Sequence, residues 1–277
     1  MAFHNGIPLP ISMNIRETRR KAKLLKALEA RYREFHQTGQ LPKRLARRAS
    51  APLLVYPHDR WTTAKLKVLM VGQETLTWGY DPAEIGTARN QIKTYRDFTE
   101  TEDAVGAMQE LYRWYSLGRR YPKMNSAFWR GFRAFDSAIN PTPDSALWTN
   151  LFKVNVSGSV VANCTRAEIA KIHKAQQGLL RHEIDTLKPD VLVFFTGPRY
   201  DAALKAELGD VTFHPVEGLA THPEPHPVAH LARLEGPGLP ARTLRSYHPE
   251  YLQRSRQFSL IQKLANWALA TASDAIA

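Results

Sequence analysis

Cysteine is nearly absent from this chain. Cys164 is the only one in 277 residues, which excludes an internal disulfide, a cysteine-ligated iron–sulfur cluster and a zinc ribbon. No apolar run reaches the length of a membrane span, so no membrane partner is expected. Met1 to Gly6 lack a basic stretch followed by an apolar one, so no secretory signal is expected and a reducing cytoplasm fits. There is no Gly-x-Gly-x-x-Gly turn and no Gly-Lys-Ser/Thr phosphate loop, which removes support for a nucleotide cofactor. A Gly-x-Ser-x-Gly elbow for a serine hydrolase is missing too. No cofactor is expected, and the simplest assembly is a monomer.

Acidic residues are also in short supply. Asp and Glu number 26 against 38 Lys and Arg, for a net charge of +12. Such a balance favours a polyanionic partner, because each cation docked on a phosphate releases condensed counterions; plain solubility is the bland alternative. The surplus is uneven. Residues 14–50 carry twelve Lys/Arg and three Glu, nine of the twelve net charges. Leu25, Leu28, Tyr32 and Phe35 fall at helical spacing there, which predicts a helix with one apolar stripe and a basic comb on the rest of its surface. The stripe would dock on the main domain and the comb would face phosphate. Residues 1–50 thus read as a basic helical extension and 51–277 as the main α/β domain.

Within that domain Leu66, Val68, Met70 and Val71 form an apolar run closed by Gly72, as expected of a buried parallel strand. Helices are predicted over 103–117 and 125–138, where aromatics recur at helical spacing and Pro141 and Pro143 follow. Ala146 to Val154 reads as the next strand. Thr165 and Glu168 form a capping-box pattern opening a helix through Ile184, which Pro189 stops. Val191 to Phe195 and Arg242 to Tyr247 complete four strands, with 214–240 between them expected as loop. Phe258, Ile261, Leu264 and Trp267 mark a final helix. Strands alternating with helices imply a central parallel four-stranded sheet with helices on both faces. Ligands of such sheets sit beyond the carboxyl ends of the strands. Glu74, the end of the Asn150 strand, Gly197 and His248 all lie at or near those ends, so one shared site is expected.

Three segments carry the chemistry: Val71-Gly72-Gln73-Glu74-Thr75, Leu147-Trp148-Thr149-Asn150-Leu151-Phe152-Lys153, and Ser246-Tyr247-His248-Pro249-Glu250-Tyr251-Leu252-Gln253-Arg254. Over roughly residues 65 to 265 they resemble, in order and spacing, the uracil-DNA glycosylase superfamily. Its members carry a Gly-Gln-Asp-Pro-Tyr-like turn, an Asn-bearing strand and a His-Pro loop. The second and third segments are most similar to the prokaryotic iron–sulfur branch, whose cysteines are missing here. The resemblance implies that fold, a DNA partner, and excision of a flipped base by hydrolysis of its glycosidic bond.

It also implies roles. Glu74 would orient water and stabilise the cationic sugar, or else it caps the turn that follows it. Asn150 would read the base edge, its amide offering donor and acceptor, or else it satisfies local backbone. His248 would donate to the departing base. Gln73 belongs to the same turn. Trp78 or Tyr80 would stack on the base, with Phe128, Trp129 and Phe132 as alternatives whose helical spacing suits core. Tyr251 or Leu252 would enter the minor groove behind Pro249, and Arg245 and Arg254 would meet phosphates. Leu76 stands where the best-known branch has a Tyr that crowds carbon 5 of the pyrimidine. A larger 5-substituent, such as that of glucosylated hydroxymethylcytosine in phage DNA, is the substrate this suggests. Uracil repair, a non-catalytic DNA-binding module and an RNA-directed enzyme are the competing readings. His222, His226 and His230 are four apart, but interleaved prolines oppose a helical metal set.

Overall fold

The computed structural model describes residues 15–75, 92–117, 125–216, 219 and 230–273. Helices are α1 (Ile15–Thr38), α2 (Lys43–Arg48), α3 (Asp59–Thr62), α4 (Tyr95–Glu100), α5 (Ala104–Leu117) and α6 (Ala127–Ile139), then α7 (Val160–Asn163), α8 (Arg166–Gln176) and α9 (Leu179–Leu187). They continue with α10 (Asp201–Leu208), α11 (Pro249–Arg254) and α12 (Leu260–Ser273). Strands are β1 (Val68–Gly72), β2 (Leu147–Asn150), β3 (Val191–Phe194), β4 (Thr212–His214), β5 (Ala232–Glu235) and β6 (Arg242–Arg245).

The sheet runs β2-β1-β3-β6-β5-β4. β2, β1, β3 and β6 are parallel, whereas β5 and β4 pair antiparallel beyond β6. The sheet is therefore six-stranded and mixed, and the purely parallel four-stranded expectation is corrected. The extra strands come from the stretch expected as loop. They are short, and Thr212-Phe213-His214 is largely exposed, so neither offers the continuous apolar run that marks a buried strand.

Alternation along the strands sorts the helices into two layers. Trp148 meets Trp129 of α6 at 5.0 Å between rings, and Phe195 meets Phe135 of the same helix at 6.3 Å. Thr149 points the other way and donates to Glu183 of α9 at 2.9 Å. Edge strand β2 is shielded by α5: Tyr112 Oη donates to Trp148 O and accepts from Trp148 N. Asp136 of α6 fixes the entry to β2 by accepting from Ser145 N and Ala146 N at 2.9 and 3.0 Å.

The layer behind Thr149 holds a closed ionic network. Lys153 and Glu183 are fully buried and paired at 2.6 Å; Glu183 also accepts from Tyr32 Oη at 2.7 Å. Tyr32 belongs to α1, whose Leu28, Tyr32 and Phe35 are buried in the one core that includes β1 and β3. The capping box of Thr165 and Glu168 forms as the sequence predicts, but the helix it opens breaks at Gly178 (φ 75), giving α8 and α9. Among the described residues no helix is long and apolar enough to cross a membrane.

Candidate active site

β1 and β3 are adjacent, yet the chain leaves them in opposite directions across the sheet, β1 leading to β2 and β3 to β4 at the far edge. Their carboxyl ends are a topological switch point, where open α/β sheets leave a crevice. Gln73 spans it: its Nε2 donates to Thr196 O at 2.8 Å.

Gly72 ends β1 beside Asn150, its register partner on β2. A Cβ on Gly72 would collide with the Asn150 amide and come within 3.4 Å of Phe128 Cε2, so the position is closed to other residues. Asn150 is buried. With its amide turned to satisfy both neighbours, it donates to Thr149 O at 3.0 Å and accepts from Thr75 N at 3.2 Å. An amide has two N–H donors and two oxygen lone pairs. The two bonds made are the local backbone bonds of the bland reading of Asn150, and by count one donor and one acceptor stay unused.

His248 follows β6 and caps α11. Its Nδ1 accepts from Glu250 N at 3.3 Å, and Pro249 fills the first helical position. The ring stacks on Phe128, centroids 5.8 Å apart and planes 16° from parallel. Burial lowers its pKa to about 4, aided by the Arg254 charge and opposed by Glu250. The imidazole is neutral at physiological pH, and with Nδ1 accepting, the proton sits on Nε2. The ring offers one N–H donor and no charge.

Glu74 is tied down. Oε1 accepts from Ser159 Oγ and Tyr200 Oη, each at 2.8 Å; Oε2 accepts from Val160 N and, at 3.4 Å, from Asn155 Nδ2. A carboxylate has about four lone-pair sites, and all four are taken. Burial raises its pKa, while the bonds from Val160, Ser159 and Tyr200 and the Arg199 charge pull it down. The carboxylate therefore caps α7 and clamps residues 155–160 onto the end of β1. A water-activating role has no free lobe to work with, and the four bonds come from Asn155, Ser159, Val160 and Tyr200, not from the turn that follows Glu74.

At the rim two expectations are corrected. Arg245 is buried, pairs with Asp201 at 3.0 Å and lies over the Phe213 ring at 5.3 Å, so it is turned away from any phosphate. Leu252 is fully buried, which leaves Tyr251 as the wedge candidate. Among the described residues Tyr251 is the large apolar side chain most open to solvent, and it stacks on Tyr247 at 4.1 Å; Tyr247 in turn meets His230 at 5.4 Å. Pro249 is buried against the α6 layer, near Gly131, and Arg254 is exposed.

Leu76, Trp78 and Tyr80 lie outside the described residues, as do His222 and His226. The aromatic in the site is Phe128, which the sequence offered only as an alternative. It stands in the first turn of α6, half-buried, whereas Trp129 and Phe132 behind it are core. Its position just after the Ser126 cap, at the open end of an apolar stripe, was the available signal. No protein-family profile matches the chain, and no curated protein matches it in sequence.

Proposed function

We propose that this chain is a monofunctional DNA glycosylase with a uracil-DNA glycosylase-like fold. It flips a pyrimidine nucleotide out of the stack and hydrolyses its N-glycosidic bond, leaving an abasic site. One observation carries the reading: Asn150 and Phe128 meet at Gly72 at the carboxyl ends of the parallel strands, and a neutral His248 stacks on Phe128.

Each group has a task that suits its state. Phe128 offers a flat apolar face for the base. Asn150 keeps one donor and one acceptor for the Watson–Crick edge. As the bond from the base nitrogen to the sugar breaks, its electron pair moves onto the base and charge gathers on a carbonyl oxygen. His248 Nε2–H donates to that oxygen, and a fixed donor in a dry site stabilises such charge without reorganisation. Water adds to the sugar carbon and loses a proton to solvent, and the released base takes one up. Glu74 acts as a positioning residue, holding the 155–160 segment and the start of α7 against the site. Leu76, in place of a crowding Tyr, supports a 5-modified pyrimidine as substrate, with glucosylated hydroxymethylcytosine and defence against phage as the setting.

A second reading, a non-catalytic DNA-binding module on the same fold, is favoured by one observation, the saturated Glu74 carboxylate. Base release separates the two. Identical DNA strands bearing uracil, thymine, cytosine, hydroxymethylcytosine or its glucosylated form are incubated with the protein, then cut with alkali at abasic sites. Cleavage only at the bulky cytosine is expected. Cleavage at uracil makes the chain a repair glycosylase. Tight binding with no cleavage on any strand leaves the module reading.

A further inference from the structure

The basic surplus of residues 14–50 divides between two poles of the molecule, and only one part adjoins the site. Lys21 pairs with Asp59, and Arg20 acts on Lys67, which immediately precedes β1. The first half of α1, with exposed Arg19, Lys23 and Lys26, therefore lies toward the amino ends of the strands. A helix of 24 residues is about 36 Å long at 1.5 Å per residue. Its far end, where His36 bonds Phe98 O and Thr101 O, leads over into α2.

α2 is pinned by buried Leu45 and Ala46 and exposes Lys43, Arg44, Arg47 and Arg48. Arg48 is held by Glu168 at 3.0 Å. Among the described residues no carboxylate lies in ion-pair contact with Lys43, Arg44 or Arg47. The helix is tied to the site through Ser50. Ser50 N donates to Asn155 O at 2.8 Å, Asn155 N donates to Ser50 Oγ at 2.9 Å, and Ser50 Oγ meets Thr75 Oγ1 at 3.2 Å. Ala49 bridges Val156. Thr75 N bonds Asn150, and Asn155 bonds Glu74. Three residues from Arg47 to Ser50 span at most about 11 Å of chain. From Ser50 the path to Asn150 runs on through Thr75, so the platform stands several nucleotide steps from the held base.

We propose that Lys43, Arg44 and Arg47 form a phosphate-binding platform for the strand that flanks the nucleotide held at Asn150, and that the α1 comb takes no part in it. The substrate is then a polynucleotide with several phosphates on the α2 side, and a nucleoside or mononucleotide does not suffice. The platform is set in register with the site by rigid hydrogen bonds, so phosphate contacts there fix which nucleotide stands opposite Asn150. This rests on the reading of the strand ends as the place where the nucleotide is held.

Two variants with equal charge loss test it. One is Lys43→Gln/Arg44→Gln/Arg47→Gln; the other is Arg19→Gln/Lys23→Gln/Lys26→Gln. Binding of a fluorescein-labelled DNA duplex is followed by anisotropy from about 50 to 200 mM salt. The α2 variant is expected to lower the slope of log affinity against log salt by about 2 to 3, near 0.9 per lost phosphate contact. The α1 variant should leave the slope within its error. Equal losses in both variants, or an unchanged slope in the α2 variant with its thermal unfolding intact, overturn the platform. The duplex carries no modified base, so binding is read without chemistry. If the parent releases no base from any strand but the α2 slope still falls, the glycosylase reading fails and the platform stands as polynucleotide binding.

Discussion

Thr149 and Asn150 are neighbours on β2 and face opposite layers. Thr149 enters a buried network with Lys153, Glu183 and Tyr32 in which each member bonds another. Asn150 ends beside Gly72, Phe128 and His248 and keeps a donor and an acceptor in hand. His248 likewise keeps Nε2–H. Both faces bury polar groups, so burial alone does not mark the site. What sets the second face apart is where its spare capacity stands, beside the Phe128 ring at the carboxyl ends of the strands. By that measure Glu74 belongs with the structural groups even though it stands at the end of β1.

The comparison breaks most sharply at Lys153. Lys153→Met leaves the Glu183 carboxylate buried without its cation, which should lower unfolding free energy by about 3–5 kcal/mol in urea denaturation. Adding Glu183→Gln removes the stranded charge, keeps an oxygen acceptor for one of the Tyr32 and Thr149 hydroxyls, and should restore at least half of the loss. Base release per folded molecule should be unchanged in both. A Lys153→Met protein of normal stability with no base release would assign Lys153 to the site instead.

On the other face the effect moves from stability to rate. Asn150→Ala and His248→Ala should each slow base release by about 10² to 10³, the loss typical of one preorganised donor, while DNA affinity holds. His248→Ala should also lower stability by about 1 kcal/mol through the lost helix cap. Because His248 is neutral down to about pH 4, base release should stay flat from pH 8 to well below 6. A rate that titrates near 6.5 would contradict the half-buried, Nδ1-accepting ring. His58, buried and accepting from Trp61 N, is also lowered to about 4 by burial. Both histidines have folded pKa values below the unfolded one. Their stabilisation is complete above about pH 6.5 and is lost as pH falls from there toward 4.

At the rim, Tyr251→Ala should weaken DNA binding by about 1–3 kcal/mol, the range for one stacked base, without moving the unfolding midpoint. Leu252→Ala should do the reverse, because its side chain is fully buried. Equal effects of the two on binding would remove the distinction between a stacking Tyr and a core Leu.

Much of this arrangement is legible in the sequence where the signal is local. The runs at Val68, Leu147, Val191 and Arg242 announce the parallel strands, and Gly72 announces the tight end of β1. Thr165 and Glu168 set a helix start by contacts three residues apart. What escapes is set by distant partners. Tyr32 reads as one more residue of an amphipathic stripe until Glu183, 151 positions on, takes its hydroxyl. Arg245 reads as surface until Asp201 and Phe213 enclose it. Glu74 has the spacing of a catalytic acid, but its four donors come from residues 155 to 200. The functional roles rest on motif resemblance joined to this geometry.

The smallest expected effect sharpens the view of the structural face. Glu207 of α10 accepts from Leu180 N at 3.0 Å at the start of α9, where Gly178 supplies no side-chain cap. Burial raises its pKa to about 7, and the Glu183 charge adds to this; the α9 amides and Lys153 oppose it. Its folded pKa lies above the unfolded value of 4.5. Below pH 4.5 both states hold the proton and nothing is lost. As pH rises from 4.5 through 7 the unfolded chain ionises first, and the native state loses stability until Glu207 ionises as well. This runs opposite to the histidines. Glu207→Gln keeps the acceptor for Leu180 N and removes the charge. It should stabilise the protein by on the order of 1 kcal/mol at pH 8 and leave it unchanged at pH 4.5. Thermal melts of parent and variant across that range should diverge only on the alkaline side. A gap of equal size at both ends would mean that Glu207 acts through packing, and the network on that face would then be less ionic than its hydrogen bonds suggest.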